Sequence, residues 1–238
     1  MKLLAIETAT EACSVAVAVH GAVIERFEIA PRRHAELVLP WAEALLAEAG
    51  VRRSELDAVA VGRGPGAFTG VRLAVSIAQG IALALDRPVV PVSTLAVLAM
   101  RAKAVAEAPP GPVLAAIDAR MGEIYAGVFA PDAAGLMRAR DVERVGAPDA
   151  LQLPDGFEGI GVGTGFAAGE GALRARLGTA LQACDPEALP HAGDLARLAL
   201  AAFVEGGAIA PERVEPAYLR DKVALTAAEQ RAARGGAA

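Results

Sequence analysis

Residues 4–17 read LAIETATEACSVAV, and the fold prediction starts from this stretch. An apolar run ends at Glu7, a polar turn follows, and small and apolar residues resume at Cys13. This pattern is typical of two buried antiparallel strands joined by a turn. Glu7 would then lie at the carboxyl end of the first strand, which is where α/β sheets bind their ligands.

The chain around this hairpin alternates between predicted strands and helices. Strands are expected at 2–6, 14–19, 22–29, 57–62 and 89–92, and helices at 34–49, 69–85 and from Ser93 or Thr94 to about 107. The stretch EAPPGP at 107–112 is rich in proline and is predicted to be a linker.

After the linker the same order begins again, because Ala116-Ile117-Asp118 matches Ala5-Ile6-Glu7 at the end of an apolar run. Strands are expected at 113–117, 123–130, 136–144 and 158–162, and helices at 147–152 and 191–206. A repeated β-β-β-α-β-α unit predicts two mixed sheets flanked by helices, with Glu7 and Asp118 facing each other across a cleft. The alternative is two unrelated α/β halves that share a three-residue match.

The composition excludes several classes of protein. The 238 residues carry a net charge of −5 and only 4% aromatic residues, so a basic or stacking surface for direct binding of nucleic acid is not expected. Two distant cysteines are typical of a reduced, cytoplasmic setting. The most apolar run, 71–85, is interrupted by Arg72, Ser76 and Gln79, and a membrane span is not expected.

Familiar catalytic motifs are absent from the sequence. It has no HExxH, no GxSxG and no GxxxxGK[ST], and its three histidines, at 20, 34 and 191, are scattered. No catalytic residue and no metal site are therefore predicted. In the second hairpin, Arg120 is expected to pair with Glu123 rather than Asp118, because residues two apart in an extended strand point to opposite sides.

The glycine-rich stretch GRGPGAFTGVR at 62–72 lies between a predicted strand and a predicted helix. Thr69 is expected to cap that helix, whose first amides could attract an anion, or the loop could simply turn the chain. Small residues recur at every fourth position of the helix, at Gly70, Ala74, Ala78 and Ala82. Such a stripe lets another helix approach closely, although the helix could also use it to pack on its own sheet.

The duplicated unit resembles the actin-like ATPase superfamily, with its RNase H-like fold. More narrowly, the chain is similar to the TsaB (YeaZ) family in several strings that run through most of its length. They are LAIETATEACSVAV (4–17), RRHAELVLPWAEALL (32–46), GRGPGAFTGVRLAVSIAQGIA (62–82), VSTLAVLA (92–99), DARMGEIYAGVF (118–129) and PAYLRDKVA (216–224).

The resemblance implies an α/β fold of two tandem actin-like subdomains, at 1–107 and 113–224. Helix 191–206 would pack back on the first subdomain, and 225–238 would be a disordered tail. It also implies a non-catalytic scaffold that pairs with a TsaD-like catalytic subunit for threonylcarbamoyl transfer to the adenosine beside the anticodon. A TsaE-like ATPase would join the complex. This chain would contact tRNA only indirectly, through the complex. Without the partner, the chain could form a homodimer.

In superfamily members that bind phosphate, the first hairpin reads Asp-x-Gly-Thr, whereas this chain has Glu7-Thr8-Ala9-Thr10. The longer acid and the Ala9 methyl group disfavour ATP hydrolysis. Glu7, Thr8, Thr10 and Asp118 are therefore interpreted as a vestigial nucleotide site. No cofactor is expected to bind strongly to the chain alone, although ATP or ADP could lie at the partner contact.

The resemblance also implies a partner surface on two helices. Its predicted residues are Leu37, Val38, Trp41, Leu45, Gly70, Ala74, Ala78 and Ala82. Ala78→Trp is then expected to abolish the heterodimer and leave the chain folded. The competing hypothesis is a stand-alone kinase or ATPase of the actin-like fold, which would bind and hydrolyse ATP without a partner.

Overall fold

The computed structural model describes residues 1–105 and 111–220. The predicted tail at 225–238 and the predicted subdomain limits at 107 and 224 lie outside these ranges. The first half contains strands β1 (Lys2–Glu7), β2 (Ala12–Val19), β3 (Ala22–Ile29), β4 (Ala58–Gly62) and β5 (Val89–Val92), and helices α1 (His34–Glu48), α2 (Phe68–Leu85) and α3 (Thr94–Ala99).

The second half contains mainly strands. These are β6 (Val113–Arg120), β7 (Glu123–Pro131), β8 (Met137–Ala139), β9 (Arg144–Gly146), β10 (Gly159–Val162) and β11 (Leu181–Asp185), with helices α4 (Ala168–Leu177) and α5 (Ala192–Val204).

The two sheets repeat one topology, which confirms the predicted fold class. The first sheet has the order β3-β2-β1-β4-β5, and the second has β8-β7-β6-β10-β11, with β9 also pairing with β7. In each sheet the first strand pairs antiparallel with the second and parallel with the fourth. β1 therefore corresponds to β6, and α2 to α4.

The second half departs from its predicted elements in three places. The expected strand at 136–144 is two short strands, β8 and β9. Residues 147–152 form only a turn, in which Ala150 N–H donates to the Ala147 carbonyl, and Pro154 disfavours a helix in the residue before it. Helix α4 and strand β11 were not predicted; α4 begins with a glycine-rich run whose Gly169, Glu170 and Gly171 have positive φ.

The two halves share one hydrophobic core. Helices α1 and α2 pack on one face of the first sheet. Helices α3 and α5 lie on its other face, where their buried side chains, such as Leu98 and Leu195, belong to the same cluster as Ala5 of β1 and Ala115 of β6. Because this cluster is continuous from one sheet to the other, the two sheets pack together through α3 and α5. Most of the predicted linker at 107–112 lies outside the described residues.

The amino end of α5 is tied to the first sheet by hydrogen bonds. The backbone N–H of Ala192 donates to Ser14 Oγ at 2.9 Å, and that of Gly193 donates to Glu25 Oε1 at 3.1 Å. The first amides of a helix have no partner within the helix, so these two side chains satisfy them. Residues of the first half thus position a helix that follows the second sheet in sequence.

The stripe of small residues on α2 faces inward. Ala74, Ala78 and Ala82 have no exposed surface and pack in the core formed with β1 and β4. A Cβ atom added at Gly70 would lie 2.1 Å from the Thr8 carbonyl oxygen, so the backbone itself requires glycine there. Helix α2 is long and apolar enough to cross a membrane by length and composition, and in this fold its inner face packs against the first sheet.

The interface prediction is therefore corrected for these four residues, because the three alanines have no exposed surface and Gly70 is buried against the backbone of Thr8. We expect Ala78→Trp to lower the free energy of unfolding by about 3 kcal/mol, since the core has no space for an indole ring. Urea unfolding followed by circular dichroism measures the change. Ala84→Trp, at an exposed position of the same helix, is the matched control and should change stability by less than about 0.5 kcal/mol. A stable Ala78→Trp chain would contradict the inward orientation.

Candidate interdomain cleft and partner surface

Glu7 is fully buried at the end of β1 and is held by the fold itself. Its Oε1 accepts a hydrogen bond from Ala9 N–H at 2.8 Å, and its Oε2 accepts one from the Thr94 hydroxyl at 3.0 Å. A Cβ atom at Gly62 would lie 1.9 Å from Oε2, so the carboxylate occupies the space that a side chain on β4 would need. Burial raises the pKa of Glu7 from 4.5 to about 7.

The glycine-rich loop makes room for the first hairpin. A Cβ atom at Gly66 would lie 2.3 Å from the Ala9 carbonyl oxygen, which accepts a hydrogen bond from Ala67 N–H at 2.7 Å. Thr8 is also buried, and its hydroxyl donates to the Gly70 carbonyl at 2.8 Å. The backbone of residues 8–9 therefore packs directly against Gly66 and Gly70, where a side chain would not fit.

Helix α2 begins one residue earlier than predicted, at Phe68, with Ala67 at the N-cap position. Thr69 therefore lies inside the first turn, and among the described residues no side chain caps this end of the helix. The prediction that Thr69 caps the helix is wrong.

A cleft of about 1140 Å³ lies between the two halves. One wall is formed by the first hairpin and the start of α2, and the other by the β6–β7 turn and Thr164. Thr10 and Asp118 line this cleft, whereas Glu7 and Thr8 do not. The structure thus brings together only two of the four residues of the predicted nucleotide site, and Glu7 does not face Asp118 across open space.

Asp118 pairs with Arg120, contrary to the expected Arg120–Glu123 pair. Its Oδ2 lies 2.8 Å from Arg120 Nη1, and its Oδ1 accepts from the Arg120 backbone N–H at 2.8 Å. This contact is possible because Arg120 has a φ of 63° and leaves the extended conformation that the prediction assumed. Glu123 instead pairs with Arg220.

The glycine-rich stretch GVGTG at 161–165 packs against strand β6. A Cβ atom at Gly163 would lie 2.3 Å from the Ala116 carbonyl oxygen, and one at Gly165 would lie 2.7 Å from Ala116 Cβ. Close contact with β6 therefore explains these two glycines without a nucleotide. Within residues 1–105 and 111–220, no cluster of three or more His, Cys, Asp or Glu side chains could hold a metal ion.

The predicted interface residues of α1 divide into two pairs. Val38 and Leu45 are buried in the core, whereas Leu37 and Trp41 are half-buried at its edge. The interface prediction is corrected for Val38 and Leu45. For Leu37 and Trp41 it stays a prediction, because part of each side chain reaches the surface.

The outer face of α2 carries a second stripe of small residues that the sequence reasoning missed. Ser76, Gly80 and Ala84 are all exposed, and a Cβ atom at Gly80 would meet nothing within 4 Å. Leu83, 60% exposed, lies beside them. The four-residue spacing was present in the sequence, but it occurs on two faces of this helix, and spacing alone does not identify the outer one.

Comparison with known proteins gives close relatives over nearly the whole chain. The tRNA threonylcarbamoyladenosine biosynthesis protein TsaB of Escherichia coli K12 is 42% identical over 94% of this chain and 96% of its own length. The TsaB protein of Haemophilus influenzae is 37% identical over 94% of this chain and 95% of its own. Residues 26–141 match the family model described as TsaD, tRNA N6-adenosine threonylcarbamoyltransferase.

A solved structure agrees with this relationship. YeaZ from Pseudomonas aeruginosa superposes with a TM-score of 0.83 at 44% sequence identity, covering 92% of this chain and 99% of that one. The likeness therefore covers the whole architecture, including both sheets.

The raised pKa of Glu7 predicts a pH dependence of stability. The folded-state pKa of about 7 exceeds the unfolded value of 4.5, so the folded chain holds a proton that the unfolded chain releases. The contribution to stability is full below pH 4.5 and falls by about 3 kcal/mol as the pH rises through 7.

Glu7→Gln keeps an oxygen for Ala9 N–H and removes the titration. We expect the stability of this variant relative to the parent to rise between pH 4.5 and 7.5, measured by urea unfolding at each pH. Glu11→Gln, at an exposed position in the same loop, is the control, and its stability should depend on pH in the same way as that of the parent. A parallel profile for Glu7→Gln would contradict the pKa assigned to Glu7.

Proposed function

This chain belongs to the TsaB family of tRNA threonylcarbamoyladenosine biosynthesis proteins, and we propose that it acts there as a non-catalytic subunit. It pairs with a TsaD-like subunit that transfers the threonylcarbamoyl group to the adenosine beside the anticodon. A TsaE-like ATPase completes the assembly, which works in the cytoplasm, and tRNA is contacted mainly by the other subunits. One observation carries this proposal. The carboxylate of Glu7 is buried in the first hairpin, and the backbone of Thr8 and Ala9 packs against the glycine-rich loop at 62–70.

The geometry of Glu7 supports the absence of ATP hydrolysis. A kinase or ATPase needs a carboxylate that can orient a metal-bound water at the transferred phosphate. Both oxygens of Glu7 accept hydrogen bonds from the protein, and the residue does not line the cleft. Asp118 does line it, but is paired with Arg120. The stand-alone kinase or ATPase hypothesis therefore gains no support from either acid.

The vestigial site still leaves room for a nucleotide held mainly by the partner. Thr10 and Asp118 face a cleft of about 1140 Å³, a volume ample for a nucleotide. Among the described residues, the glycine loop at 62–70 packs against the backbone of Thr8 and Ala9, which supports weak binding of phosphate groups by this loop. We propose that ATP or ADP binds this chain only weakly without its partner.

The outer faces of α1 and α2 are the proposed contact with the TsaD-like subunit. The exposed stripe Ser76, Gly80 and Ala84 permits close approach of a partner helix, and Leu39 and Leu83 add exposed apolar surface. Close helix packing of this kind needs small residues on the facing side. The match of residues 26–141 to the TsaD family model suggests a partner with a related fold, and the same face would support a homodimer when the partner is absent.

Reconstitution tests the proposed function. The chain is mixed with the TsaD-like and TsaE-like proteins, a TsaC-like enzyme that makes threonylcarbamoyl-adenylate, tRNA, threonine, bicarbonate and ATP. Modified adenosine is measured by mass spectrometry of digested tRNA, with each protein omitted in turn. We expect modification to be lost without this chain, and the chain alone to leave ATP intact. Modification without it, together with ATP consumption by the chain alone, would overturn the proposal.

The contact surface gives a sharper prediction. Gly80→Trp places an indole ring on the exposed outer face of α2, at a position whose Cβ atom would meet nothing within 4 Å, and the ring blocks close approach of a partner. We expect a melting temperature no lower than that of the parent, because a helical glycine is removed, and at least a hundredfold weaker heterodimer, measured by calorimetry with the TsaD-like subunit.

Gly146→Trp is the matched control. It also replaces a glycine whose added Cβ meets nothing within 4 Å, but on β9, away from both helices. Equal affinities of Gly80→Trp and the parent would place the contact on another face.

A further inference from the structure

The last described segment of the chain, residues 214–220, crosses the cleft between the two halves. On the first half, Gln79 Nε2 donates to the Val214 carbonyl at 3.3 Å, and Ala217 N–H donates to the Arg63 carbonyl at 2.8 Å. On the second half, Arg220 Nη2 donates to the Ala119 carbonyl at 3.2 Å. Residues 216–220 line the same cleft as Thr10 and Asp118.

Two side-chain contacts hold the segment, one on each side of the cleft. Arg72 of α2 lies with its guanidinium 3.3 Å from the Phe68 ring centroid and 5.2 Å from that of Tyr218, and its Nε donates to the Tyr218 hydroxyl at 3.0 Å. Arg220 forms an ion pair with Glu123 in the β6–β7 turn. Both contacts combine charge with a hydrogen bond and are among the stronger contacts of exposed residues.

The rest of the segment is weakly attached. Val214 is buried, whereas residues 215–220 are half-buried or exposed, with Tyr218 57% exposed. Among the described residues, one backbone hydrogen bond, from Ala217, ties 215–220 to the rest of the chain. Pro216 has no N–H to donate. Segments with few buried apolar contacts and few backbone hydrogen bonds open at low free-energy cost while the remainder stays folded.

The two halves themselves cannot open the cleft easily, because their core is continuous from sheet to sheet. We propose that residues 215–220 form a lid that governs access to the cleft, anchored at the buried Val214 and latched by Arg220 to Glu123 and by Tyr218 to Arg72. Opening releases the lid from the β6–β7 turn and leaves both sheets in place. Solvent and ligands then reach the cleft wall at Ala119, which is only 7% exposed while the lid is closed.

Thiol reactivity tests the lid without knowledge of any ligand. Ala119→Cys places a thiol on the cleft wall, at a residue only 7% exposed whose carbonyl accepts from Arg220. The half-buried Cys184 is replaced by serine, and Cys13, which has no exposed surface in β2, remains as a reporter of global unfolding. Alkylation by a small maleimide is followed at each site by mass spectrometry of the full-length chain.

In this background, Glu123→Gln breaks one latch and Tyr218→Ala breaks the other. We expect each single variant to raise the alkylation rate at position 119 about threefold, and the double variant to raise it about tenfold. The alkylation rate of Cys13 should not change. Glu158→Gln, an exposed acid of the second half away from the lid, is the control and should change neither rate.

Two results would overturn the proposal. Unchanged reactivity at position 119 in both latch variants would show that the segment does not control access. A parallel rise at position 119 and Cys13 would show that the segment opens only when the whole chain unfolds.

Discussion

The contact between the first hairpin and the glycine loop fixes the first half of the molecule. Glu7 occupies the space beside Gly62 and binds Ala9 N–H and the Thr94 hydroxyl, so one carboxylate joins the ends of β1 and β4 to the start of α3. The backbone of residues 8–9 then rests on Gly66 and Gly70. The direction of α2 follows from this contact, because Gly70 in its first turn packs against the Thr8 carbonyl. A buried acid with a raised pKa is usual at catalytic sites, but here its partners are structural.

The sequence predicted the features that depend on periodicity and order. Apolar runs separated by a polar turn identified the first hairpin, and the match between residues 5–7 and 116–118 identified the duplication that the two sheet orders display. Features that depend on a single backbone angle or on a choice of face could not be predicted this way. The positive φ of Arg120 turned its side chain toward Asp118, and the small residues at every fourth position of α2 occur on both its inner and its outer face.

The shared core determines how the cleft can work. In a protein whose lobes are separate bodies, a ligand can close the cleft by rotating one lobe. Here α3 and α5 fill the space between the sheets with buried side chains from both halves, and the amino end of α5 is held by Ser14 and Glu25. A rotation would separate close-packed surfaces, at a high cost in buried apolar area. A rigid body of this kind suits a subunit that presents a fixed surface to its partner.

Helix α2 connects the three parts of the molecule that bear on function. Its inner stripe packs on the sheet, its outer stripe is the proposed partner contact, and Arg72 and Gln79 hold the segment that crosses the cleft. Arg72 lies one turn before Ser76 on the same face of the helix, so a partner seated on the outer stripe would lie beside the Arg72–Tyr218 contact that latches the lid. Any effect of the partner on the lid would therefore act by direct contact at Arg72 and Tyr218. If the partner stabilised this latch, the closed lid would strengthen partner binding by the same factor, because coupling between two events is reciprocal.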